Sequence, residues 1–227
     1  MEILQAIMQG GTNFVWDRMR FSFVGVLLFL LLIRCGPQER SIEEVSQVQE
    51  GELFQYYYNG TPFSGLVIDQ TKPTVKIIYT VKEGVFNGAT KHFNQVNQLL
   101  LHQNYISGKL NGLVTSFFDD GTKHYAYQYL DGKKSGSQKL YYPSGKIKSA
   151  LFYQEGSLTG DNYLYYKDGK LQHHFHFNSV GQRDGVWEKY HSNGQLKEVI
   201  TYEQGELVSP AQRYDVNGNL IANPRSN

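Results

Sequence analysis

Glycine recurs along this chain on three tracks that keep one period. Gly108, Gly132 and Gly156 lie 24 residues apart, Gly181 follows after 25 and Gly205 after 24 more. Gly112, Gly136, Gly160 and Gly185 run four residues behind them, and Gly121, Gly145, Gly169, Gly194 and Gly218 repeat the same intervals. An aromatic track of Phe117, Tyr141, Tyr165, Tyr190 and Tyr214 keeps step. A shared period of this length marks tandem supersecondary units, each packing mainly on its neighbours. Such a chain folds as an array and not around one central core.

The unit itself reads as strand and turn. With 17 Tyr, 13 Phe and 23 Gly, the composition suits aromatic strands joined by tight turns and does not suit long helices. In the unit Gly112 to Gly136, Leu113 to Phe118 reads as a strand, Asp119 to Thr122 as a turn, Lys123 to Leu130 as a second strand and Asp131 to Gly136 as the next turn. Short connections force antiparallel pairing. The expected fold is therefore all-β, an elongated antiparallel meander of tandem hairpins over residues 51–220. Gly121, Gly145, Gly169, Gly194 and Gly218 are expected to hold positive φ, and Asn97, which tolerates that region, stands on the same track. Ser209 replaces a glycine in the last unit, and Asn178 to Gly181 carries one extra residue. The first and last units are expected to cap the array.

The repeated Tyr-x-x-x-Gly-Lys/Gln-Leu/Ile of Tyr141 to Ile147, Tyr165 to Leu171 and Tyr190 to Leu196, followed by Tyr-x-x-Gly, resembles the MORN repeat variant family, specifically the YwqK-type antitoxin proteins. The resemblance runs from Tyr58 to about Leu220. It implies hairpin repeats and, taken literally, a protein toxin as partner.

The amino terminus has a different character. Phe21 to Ile33 is an uncharged apolar run of 13 residues between Arg20 and Arg34, shorter than the roughly 18 to 20 residues that span a bilayer as a helix. Basic residues followed by a short apolar run have the order of a secretory signal. The one cysteine, Cys35, follows directly, and Leu32-Ile33-Arg34-Cys35 resembles a bacterial lipoprotein processing site, although Arg34 stands where a small residue is usual. Residues 1–34 are thus expected to be a signal peptide, with Met19 an alternative start, and Cys35 a lipidation site facing the periplasm or exterior. An uncleaved anchor and a cytoplasmic protein are the alternatives. Residues 35–50, with Pro37, Ser41 and Ser46, read as a tether in which Val45 to Val48 could form a helical turn, and residues 221–227 as a tail.

In-register repetition stacks side chains into ladders. One is Phe117, Tyr141, Tyr165, Tyr190 and Tyr214; another is Tyr105, Tyr129, Tyr153, Phe177 and Tyr202. Both are expected to be structural. Phe118, Tyr142, Tyr166 and His191 sit one residue further on, so alternation points them to the other face, where they form a candidate binding surface for a protein, peptide or glycan. His173, His174 and His176 draw attention as metal ligands, but Ala150 and Phe152 in the neighbouring unit add no donor, so no metal is expected. Asp119, Asp120, Asp168 and Asp184 read as turn residues. No catalytic motif is present, no cofactor is expected and an enzyme is not. Beyond residue 34 the chain holds 19 basic and 19 acidic residues, which gives no electrostatic reason for nucleic acid.

Overall fold

A computed structural model describes residues 37–51 and 53–221. The expected signal peptide, Cys35 and the tail beyond residue 221 lie outside the described residues.

The described residues form an 18-stranded sheet and a 3-stranded sheet. The large sheet is the expected antiparallel meander. Gly112–Phe117 pairs with Lys123–Leu130, Lys133–Tyr141 with Ile147–Gln154, Gly160–Tyr165 with Leu171–Phe177, and Arg183–Tyr190 with Leu196–Glu203. Successive hairpins pair with each other as well. One rung runs by direct pairing from Thr115 through Ala126, Lys139, Ala150, Tyr163 and His174 to Glu188 and Val199. Toward the amino terminus it continues from Thr115 through His102, Lys91, Ile78 and Ile68 to Ser41.

Each unit turns twice, in two ways. At the longer turn the Tyr142 N–H donates to Lys146 O at 2.8 Å and the Gly145 N–H to Tyr142 O at 2.9 Å, and the turns at Phe118, Tyr166, His191 and Asp215 repeat this pair. Gly121, Gly145, Gly169, Gly194 and Gly218 hold φ between +80° and +94° there, and Asn97 holds +60°. The other turn is shorter than the sequence suggested. Asp131-Gly132 alone makes it, and the strand resumes at Lys133. Both residues have positive φ, as they do at Ser107-Gly108, Glu155-Gly156 and Gln204-Gly205, the geometry whose twist matches the flanking strands.

Gly136 therefore lies inside a strand, where pairing slips between Tyr127 and Tyr129. It is a bulge glycine, with φ +78°. The extra residue at 178–181 changes turn type. Asn178 and Gly181 form the longer turn, with the Asn178 side-chain oxygen accepting from the N–H groups of Val180 and Gln182.

The stretch expected as a tether is folded from Glu39 onward. Glu39–Ser41 pairs parallel with residues 66–68, and Ser46–Glu50 pairs with Leu53–Tyr58 in the small sheet. Between them Ser41 and Glu44 form a capping box on the single helical turn Ile42–Glu44. That turn aims Val45 inward, where it is buried with Tyr56, Phe63, Val67 and Val81. The small sheet thus closes a two-layer core over the first strands of the array. Farther along, Val114 is the only large apolar side chain among the described residues that is fully buried outside this cluster.

Candidate functional site

The two faces of the array differ because of the bulge glycines. Gly88 pairs with Tyr105, Gly112 with Tyr129, Gly136 with Tyr153, Gly160 with Phe177 and Gly185 with Tyr202. The second expected ladder is therefore the set of aromatic residues paired directly with a residue that has no side chain. Two residues beyond the glycine, a side chain reaches a backbone group beside the bulge. Gln138 Nε2 donates to Gln128 O at 2.8 Å, Asn162 Oδ1 accepts from Phe152 N at 2.8 Å, and Trp187 Nε1 donates to His176 O at 2.9 Å. Gln138 and Asn162 are 2% and 0% exposed, so leaving those groups unpaired would cost about 1–3 kcal/mol each. Sequence reasoning missed this set. Its signal is a residue able to hydrogen-bond two places after a glycine on the 24-residue track.

The first ladder lies on the opposite face. Tyr165 stacks on Tyr163, which pairs with His174, whereas Phe177 shares its side with Asn162 and Phe175. The two ladders do not meet in one core, and both are half-buried. Of the candidate binding residues, three have their polar tips engaged by the next unit. Tyr142 Oη donates to Tyr165 O at 2.8 Å, Tyr166 Oη to Tyr190 O at 2.7 Å, and His191 Nε2 lies 2.9 Å from Tyr214 O. Phe118, lacking such a tip, packs on His124 with ring centroids 4.5 Å apart. Lys146 and Lys170 reach Asp168 O and Ser192 O in the same manner. These residues staple consecutive turns together.

The face that carries Tyr163 is open. Leu113, Phe152 and Val186 stand exposed on it, and the strand pair around them gathers charge. His174 sets Nε2 3.1 Å from Asp161 and Nδ1 3.2 Å from Glu188, while His176 Nδ1 lies 3.0 Å from the same Asp161 oxygen. His176, with help from His174, holds the Asp161 carboxyl below the usual carboxylate range. The Tyr163 ring stacks on His174 at 4.9 Å. Asp161 and Glu188 were not singled out by sequence; they are cross-strand neighbours that only the register reveals. Among the described residues no cluster of His, Cys, Asp and Glu is arranged to hold a metal ion.

The glycine face departs from repetition in one place. The position held by Thr90, Val114, Gln138 and Asn162 in other units is Trp187 here, packed with Phe175, Phe177 and Tyr202. Beside it opens a pocket of about 420 Å³ lined by Leu164, Phe175, Trp187, Ile200 and Tyr202, with His173, Arg183, Lys189 and Glu198 at its polar edge. Glu198 is buried, which raises its carboxyl, but hydrogen bonds from Lys189 and Arg213, its two cross-strand neighbours, bring the net shift below the ordinary value.

Residues 134–155 and 183–204 match the MORN repeat variant. Each matched MORN segment is one hairpin of the array, holding a bulge glycine, a longer turn and a returning aromatic. The intervening hairpins, Gly112–Phe117 with Lys123–Leu130 and Gly160–Tyr165 with Leu171–Phe177, take the same form. A search among curated proteins finds no match. MORN repeats point to a repeat-based binding or scaffolding protein, and the module is in general non-catalytic.

Proposed function

We propose that the chain is a non-catalytic binding or scaffolding protein that presents the open face of its repeat array to a protein or peptide partner, and that lipid on Cys35 holds it at a bacterial envelope. One observation carries the docking half. On the glycine face the rings of Phe175, Phe177, Trp187 and Tyr202 pack on one another, whereas Leu113, Phe152 and Val186 are exposed on the other face, which also carries Tyr163, His174 and Glu188. Apolar side chains set among aromatic and charged groups are what a protein partner buries. A protein toxin would use the same face, so the antitoxin reading changes the partner and not the surface. The envelope half rests on the order Arg20, apolar run, Cys35.

Photo-crosslinking in the native cell tests the docking surface. A benzophenone amino acid at Phe152 is expected to give a discrete crosslinked species that the same group at Tyr153, on the glycine face, does not. Equal crosslinking from both positions, or none from either, would overturn the assignment. Membrane fractionation with mass spectrometry of Cys35→Ser tests the anchor. Loss of a lipid adduct and release from the membrane are expected; identical unlipidated protein in both forms would remove it.

A further inference from the structure

We infer that the pocket beside Trp187 binds an apolar group carrying one carboxylate. The site lies on the glycine face and does not depend on the docking surface proposed above.

Arg183 carries the inference. Its guanidinium stands 5.2 Å from the Trp187 ring and 5.3 Å from the Tyr202 ring, and Nη1 donates to Tyr202 Oη at 3.3 Å. Two aromatic faces and a phenol hydroxyl fix the fork in place. Among the described residues no carboxylate lies within ion-pair distance of it. The carboxylate at the pocket is already engaged. Glu198 gives one oxygen to Lys189 and the other to Arg213, and the Glu188 side chain belongs to the opposite face. The charge left without a carboxylate is thus a cation, set between two rings at the edge of a cavity.

The rest of the lining says what the anion is attached to. Leu164, Phe175, Trp187 and Ile200 present apolar surface, and 420 Å³ falls within the range of small-ligand pockets, about 300–1,000 Å³. Burial and the neighbouring Lys189 and Lys197 lower the His173 pKa, so at neutral pH that ring adds no strong second charge. One carboxylate matches the one guanidinium fork that, among the described residues, has no carboxylate partner. Both a free apolar acid and the C-terminal residue of a peptide offer this chemistry.

The chain has two tryptophans, Trp16 and Trp187, so in full-length Trp16→Phe protein the fluorescence reports on Trp187 alone. Titration with N-acetyl-leucine, its amide and a pentapeptide ending in leucine reads the site directly. The two carboxylates are expected to give saturable changes with the amide at least about tenfold weaker, as a charge-assisted pair implies. Arg183→Gln is expected to erase that difference while the far-ultraviolet circular dichroism stays unchanged. A peptide that binds tighter than N-acetyl-leucine assigns the pocket to chain ends, and equal affinity assigns it to free acids. Equal response to acid and amide in the unsubstituted pocket, or no saturable response to either, overturns the inference without reference to any variant.

Discussion

The first strands of the array and its later hairpins solve one problem in two ways. Around Val67, a second layer supplied by Ser46–Glu50, Leu53–Tyr58 and Thr61–Pro62 buries Tyr56 and Phe63, with Tyr56 and Tyr79 stacked on Phe86. The Tyr56 hydroxyl is pushed up to about 12, first by burial. From Gly112 onward there is one layer, and each bulge glycine pairs directly with an aromatic residue of the next strand. Glycines register the contrast. A β-carbon on Gly65 would run into Gln38 O and the Phe63 ring, whereas one on Gly145 would meet nothing within 4 Å. The first is fixed by tertiary contact, the second by φ alone. Stability is therefore expected to be concentrated and cooperative in the two-layer region, and local and additive along the single layer.

The largest effect expected from that contrast is Phe63→Ala. The side chain is 3% exposed, and a cavity of this kind costs about 3–5 kcal/mol, so the urea midpoint should fall steeply. A loss below 1 kcal/mol would mean that the small sheet is not sealing a core.

Gly145→Val comes next. Its φ of +80° is strained for a side chain that branches at Cβ, with space available around it. A cost of about 1–3 kcal/mol is expected, against less than about 0.5 for Lys146→Ala beside it. Equal losses in denaturant melts would place the constraint in packing and not in the backbone.

Smaller still is Tyr142→Phe, which deletes the bond to Tyr165 O. About 0.5–1.5 kcal/mol is expected, with His191→Phe, which deletes the contact to Tyr214 O, adding nearly independently because the two staples share no turn. Strong non-additivity in the double variant would indicate that the turns couple more tightly than a chain of neighbours.

The pH dependence should separate the two regions most gently. Glu198 is held below its ordinary value of 4.5 by Lys189 and Arg213. A depressed folded-state value means that its contribution is complete above the ordinary value and fades as pH falls through the folded-state value. Acid should therefore loosen the hairpin Arg183–Tyr190 with Leu196–Glu203, and Glu198→Gln should flatten that response. An unchanged slope of stability against pH in the variant would show that the cross-strand pairs contribute nothing net.

Much of this difference was legible before any coordinates. A 24-residue period announced hairpins, and the track through Gly145 and Asn97 announced positive φ. The bulge role of Gly136 was not legible, because a glycine four residues after another fits a long turn as well as a bulged strand. The folded stretch from Glu39 was misread on composition, since Pro37 and scattered polar residues outweighed the capping pair Ser41 and Glu44. The histidine cluster and the pocket were hidden for a shared reason. Periodicity draws attention to what recurs, whereas Asp161 and Trp187 matter because their units differ from the others.

Hydrogen exchange on the Gly145→Val protein tests the central claim most directly. If the later hairpins form a single layer of nearest-neighbour units, protection falls across Lys133–Tyr141, Ile147–Gln154 and the adjoining strands, while Leu53–Tyr58 and Val75–Lys82 exchange as in the unsubstituted protein. Uniform loss of protection from Leu53 to Glu203 would contradict it and show one cooperative core.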